Sequence, residues 1–169
     1  MSQKIAGTAS DLPKSVNYIV LELIQNNYPS TGYTPVKDKI FFSTEGFNVG
    51  KSYGISVQKN GSPVKTPKSL GINRLEQYRQ QCLIHVWVKK NVPKEPTELF
   101  NICQKVETII NTNTKNAGYG INSIKLIEDF GEADSGFFGG GSIKNHTEKS
   151  IWHNQAVVEL VYNKVITHV

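Results

Sequence analysis

The side chains here that could do chemistry are four histidines, two cysteines, a short acidic run and a glycine-rich segment. A helical metal site needs two histidines one turn apart, at i and i+4, and no pair here has that spacing. His85 stands beside Leu83 and Trp87 in a segment of alternating polarity, His146 and His153 flank the last regular segment, and His168 is close to the C-terminus. A strand histidine satisfied by a neighbour is the expectation for His85. Cys82 and Cys103 stand outside any CxxC or Cys/His zinc pattern and fall among apolar residues, so they are expected as buried thiols. Glu128, Asp129, Glu132 and Asp134 are close enough to suggest a cation site or a carboxylate pair. They lack the spacing of an EF-hand loop, and no nuclease-like Asp…Glu-x-Lys arrangement follows, so solvated strand-end acids are expected. The run Gly136–Gly141 has no lysine at the Walker position and makes a poor phosphate cradle. No catalytic residue, cofactor or metal is expected from these patterns.

These side chains sit on a series of elements that periodicity places along the chain. Val16, Ile19, Val20, Leu23 and Ile24 form an apolar stripe at helical spacing, with Asp11 and Pro13 where a cap and a first-turn proline belong. Residues 28–38 read as loop, and Lys39–Thr44 as a short strand. Gly54–Lys59 alternates with period two, and Asn60-Gly61-Ser62-Pro63 then reads as a turn opening a long exposed loop over residues 60–73. Arg74–Asn91 contains neither glycine nor proline, with Tyr78, Cys82, Ile84, Val86 and Val88 on one parity and Leu83, His85 and Trp87 on the other, which predicts an unusually long strand. Its first half is polar on both parities and is expected to project past the core as an arm. Leu99, Ile102, Cys103, Val106, Ile109 and Ile110 give a second helical stripe, opened by Pro96 and Glu98. Strands are expected at Ile121–Phe130 and Ile151–Val165, the last near the centre of the sheet. The order predicts a single α+β domain over residues 1–169: a mainly antiparallel mixed sheet with two helices on one face.

Composition excludes several classes. With 38% apolar and 20% charged residues the chain is neither collagen-like nor disordered. Its apolar runs are too short to span a bilayer, and no secretory signal pattern opens it, so no membrane role is expected. The net charge of +5 comes from scattered basic residues without the aromatic interleaving that stacks bases, which argues against a dedicated nucleic-acid surface.

Three segments are expected to be adaptable: a polar N-terminal arm over residues 1–12, the loop at 60–73, and a glycine-rich loop over residues 131–147. The last holds Phe137 and Phe138 among glycines, and ordering glycine costs backbone entropy. The two rings either fold back on their own subunit or become ordered when another subunit packs on them.

In layout, nearly the whole chain resembles the tail terminator (tail completion) proteins of tailed bacteriophages. The likeness rests on the helix ending in Ile24, the strand Lys39-Ile40-Phe41-Phe42, and Arg74-Leu75-Glu76-Gln77-Tyr78-Arg79 running into Leu83–Val88. It continues through the helix ending Thr108–Asn111, the segment Gly120–Ile124, and the closing stretch Ile151-Trp152-His153 to Tyr162. The resemblance implies a structural virion subunit, usually a hexameric ring, that caps the tail tube and meets the head–tail connector or neck protein. DNA passes only as cargo, and no catalytic residue or cofactor is implied. Subunit-contact candidates are Phe137, Phe138, Arg74, Tyr78 and Arg79. Glu128, Asp129, Glu132 and Asp134 are candidates for a channel wall whose repulsion lets DNA slide. A neck or head–tail joining subunit, a nucleic-acid-binding module and a metal-dependent hydrolase are the other readings.

Overall fold

The two helical stripes dictate where the chain folds back on itself. In a computed structural model, which describes residues 15–48, 50–68, 73–90, 95–132 and 151–167, they become α1 (Val16–Asn27) and α2 (Glu95–Thr112). Every residue of both stripes is buried, so each helix is held by one apolar face, as an amphipathic helix requires. Asp11 and Pro13 lie outside the described residues, and Ser15 occupies the N-cap position of α1.

The strands are β1 (Ile40–Ser43), β2 (Tyr53–Pro67), β3 (Asn73–Lys89), β4 (Ile121–Glu132) and β5 (Ile151–Thr167). They form one mixed sheet in the order β1-β2-β3-β5-β4, in which only β1 and β2 run parallel. The expected α+β architecture is therefore present. β5 lies between β3 and β4, and β3 pairs with it along its whole length, from Asn73↔Thr167 to Lys89↔Ile151.

Alternation assigns the two faces of the sheet. Ile55, Val57, Cys82, Ile84, Val86, Val88, Ile124, Val158 and Leu160 point toward the helices and build one core with them. α1 packs over β1 and β2, and α2 over β3, β4 and β5. On the opposite parity Ser56, His85, Trp87, Ile151, Val157 and Val161 are also buried.

One sequence expectation is corrected. The loop placed at residues 60–73 is strand as far as Pro67. Asn60 pairs with Gln81 and Val64 with Arg79, so the Asn60–Val64 stretch of β2 carries extra residues and bulges. Gly61, at φ 73°, adopts the left-handed conformation such a bulge uses. The Gln80 amide, itself buried, donates to the Gly61 carbonyl at 3.0 Å and fixes the bulge from the next strand. Beyond this point β1 no longer flanks β2, and a proline there costs no ladder bond on the open side. The first half of β3, expected to project as an arm, instead buries Glu76, Tyr78 and Gln80, and only the ends of β2, β3 and β5 past the Tyr78 row run on beyond the start of β4 as a short arm.

Candidate assembly surfaces

Four places on the molecule gather polar or aromatic groups, and the arm is the first. Lys65, Tyr78 and Tyr162 occupy one cross-strand row. The Tyr78 and Tyr162 rings stack with centroids 5.3 Å apart and planes 10° from parallel, a favourable offset arrangement. Lys65 Nζ and Lys164 Nζ lie 5.5 Å and 5.0 Å from the Tyr78 centroid, within cation–π range. The Tyr78 hydroxyl donates to Glu76 at 2.9 Å, and both side chains are buried. This row is the outer end of the core itself, since Tyr78 and Tyr162 are part of the cluster that packs against the helices. Lys59, Val64, Lys65 and Lys68 face solvent on its β2 side, Val64 at 63% exposure.

At the opposite edge of the sheet, β4 carries the acidic run. Glu128, Asp129 and Glu132 are exposed there, with Ile127 beside them. The ladder to β5 shifts register twice over this stretch, between Leu126 and Glu128 and between Glu128 and Gly131.

The third place is the sheet face away from the helices. His85 Nδ1 and His153 Nε2 are 3.0 Å apart, with ring centroids at 5.2 Å. Burial pushes His85 down to about 4, and burial with its neighbour His85 pushes His153 down to about 3, so both rings are neutral near pH 7. His153 is thus inside β5 rather than flanking it, and His85 has the neighbour expected of a strand histidine. Phe47 meets Trp87 edge-on at 5.4 Å, and the Ser56 hydroxyl donates to the Glu45 carbonyl, so residues 45–47 close over this end of the face.

The fourth is a cleft of about 590 Å³ between the α1–β1 connection, the start of β2 and α2, lined by Tyr33, Asp38, Lys51, Tyr53 and Glu98 among others. The Tyr53 hydroxyl donates to the buried Glu98 carboxylate, and Tyr33 donates to the Asn101 carbonyl at 2.5 Å. Burial, then the bond to Glu98, raises the Tyr53 phenol above its ordinary value, which keeps it a donor. The two phenols pin the connection and β2 onto α2.

The structure brings together few of the residues singled out by sequence. Arg74 is in β3 opposite Ile166. Tyr78 is taken up by Tyr162 within its own subunit, and Arg79 pairs with Glu159 at 3.1 Å across two strands. Phe137, Phe138, Asp134, His146, His168 and the segment 1–12 lie outside the described residues, as does most of 131–147. Cys82 and Cys103 are buried free thiols. Among the described residues, no three His, Cys, Asp or Glu side chains are grouped to hold a metal ion, and no helix is long and apolar enough to cross a membrane. The histidine pair and the Tyr53–Glu98 pair went unnoticed in the sequence, because 68 and 45 residues separate their partners. A scan against protein-family models gives no match to the chain, and a search of the curated proteins gives none either.

Proposed function

We propose that this chain is a structural subunit of a tailed-phage virion. It assembles as a ring, usually hexameric, that caps the tail tube and joins it to the connector or neck. The observation that carries this reading is the arm. β2, β3 and β5 stay paired beyond Ile121, where β4 begins, and their β2 side exposes an apolar side chain near lysines. Such an extension gives a subunit that grips its neighbours a contact surface. The layout resemblance noted in the sequence supports the more specific role. The virion is its place of work, and DNA is cargo passing through the ring.

The test is the solution mass of the purified chain, followed by negative-stain imaging with and without tail tubes. A hexamer-sized ring, or caps on tube ends, is the expected result. A chain that stays monomeric and ignores tubes overturns the reading.

The exposed lysines of the arm favour a second reading, a nucleic-acid-binding module. It predicts salt-sensitive retardation of DNA or RNA by the monomer, which the ring reading does not. A neck or head–tail joining subunit would share the fold and differ in binding connector rather than tube.

A further inference from the structure

The arm and the acidic strand form a matched pair of surfaces on opposite edges of one sheet. Past Ser56 the outer side of β2 faces no described strand; Lys59 and Lys65 are exposed there on one face, Val64 on the other, and Lys68 just after the strand. The outer side of β4 likewise faces no described strand, and Glu128, Asp129 and Glu132 are exposed along it next to Ile127. Each edge therefore offers one protruding aliphatic side chain, Val64 at 63% and Ile127 at 38% exposure, with charges of one sign in excess around it; the exposed Lys125 is the exception on β4. An apolar centre within a polar surround is the usual anatomy of a protein contact.

The two surfaces cannot satisfy each other within one chain. β3 and β5 separate them, which at about 4.8 Å per strand puts the edges roughly 14 Å apart. That exceeds the screening length of about 8 Å at physiological salt. They also stand at different heights. The lysine edge runs alongside Cys82 to Glu76, and the acidic stretch alongside Val157 to Asn154, which is level with Leu83 to Val86.

We propose that the lysine edge of the arm docks on the acidic edge of β4 in a second copy of this chain. This inference rests on the ring reading and specifies its interface. Two different patches make a heterologous, head-to-tail contact, the kind that closes into a ring when the rotation between copies allows. Bringing the patches together staggers adjacent copies along the strand axis by about six residues, or roughly 20 Å. Stagger between tilted strands is also how a sheet closes into a barrel. The contact is side chain to side chain more than ladder to ladder, because Pro63 and Pro67 and the bulge leave β2 few free N–H groups. The inference moves Glu128, Asp129 and Glu132 from a channel wall to a subunit boundary.

The test is a charge swap read by mass photometry, in solution or on tail tubes, wherever the wild type assembles. One variant carries K59E, K65E and K68E, and the other E128K, D129K and E132K. All six side chains are exposed, and thermal melting of each variant checks that it folds. Alone, each variant presents like charges to itself, and its assembled fraction falls at least tenfold. Mixed in equal amounts, the two restore the assembly, with even numbers of copies alternating around it in native mass spectrometry. Variants that assemble alone as the wild type does overturn this interface and leave the ring reading intact. Assembly lost in each variant and not restored by mixing also overturns it. A wild type that never assembles, with or without tubes, overturns the ring reading and the interface together.

Discussion

Trp87 lays its indole over Gly54, its partner on β2, so closely that a Cβ on Gly54 would come within 1.9 Å of Cζ2 and 2.1 Å of Cη2. The ring is fully buried, held by Phe47 on one side, and has nowhere to retreat. Gly54→Ala is therefore expected to destabilise the fold by about 3 kcal/mol, the upper range for overpacking a core. Chemical denaturation would measure it, and a loss below about 1 kcal/mol would show that the indole can move aside.

The histidine pair makes stability depend on pH with a definite sign. Both rings hold protons more weakly folded than unfolded, His85 at about 4 and His153 at about 3 against an ordinary 6.5. The unfolded state thus binds more protons below pH 6.5. Stability is full above that value and falls as the pH drops toward 4 and 3. One ring alone contributes a loss of about 3 kcal/mol by pH 4, at about 1.4 kcal/mol per tenfold change in proton affinity. Urea melts at stepped pH would show the slope, and His85→Gln with His153→Asn should flatten it. An unchanged slope in that double variant would refute the assignment.

Burial pushes both thiols up to about 12, so at pH 8 almost none of either is thiolate. Iodoacetamide should leave Cys82 and Cys103 unmodified in the folded chain and alkylate both in denaturant, as read by intact mass. Rapid labelling of either in native buffer would contradict their placement in the core between α2 and the sheet.

Tyr28 is buried with its ring edge-on to Tyr33 and Phe42, and its hydroxyl finds no hydrogen-bond partner among the described residues. A buried hydroxyl without a partner costs about 1–3 kcal/mol. Tyr28→Phe should accordingly leave the melting temperature unchanged or raise it. A drop of several degrees would mean that a bound water satisfies the group.

Both helices were legible because each stripe, from Val16 to Ile24 and from Leu99 to Ile110, reflects burial on a single face. The long strand Asn73–Lys89 was legible because no breaker interrupts its alternation. The continuation of β2 was not. Asn60-Gly61-Ser62-Pro63 has the chemistry of a turn, and only pairing with Gln81 and Arg79 absorbs it as a bulge. The two assembly edges were half visible. The acids stood out as a run, but Lys59, Lys65 and Lys68 looked scattered until β2 brought the first two onto one edge and ended just before the third. Their relation to Glu128 depends on strand order, which periodicity does not carry.

The central ladder between β3 and β5 joins residues roughly 60 to 90 positions apart, whereas β2 and β3 meet across a short connection. Closing a long loop costs more chain entropy than closing a short one, and distant pairings slow folding. The β2–β3 hairpin is thus expected to form early and to wait with one flank of β3 open until β5 arrives. Pulse-labelled hydrogen exchange would find β2 and β3 amides protected first, and simultaneous protection of β5 would contradict this order. On a ribosome the same geometry leaves β3 awaiting a strand synthesised well after it. That interval is when the newborn chain is most exposed to pairing with the wrong partner.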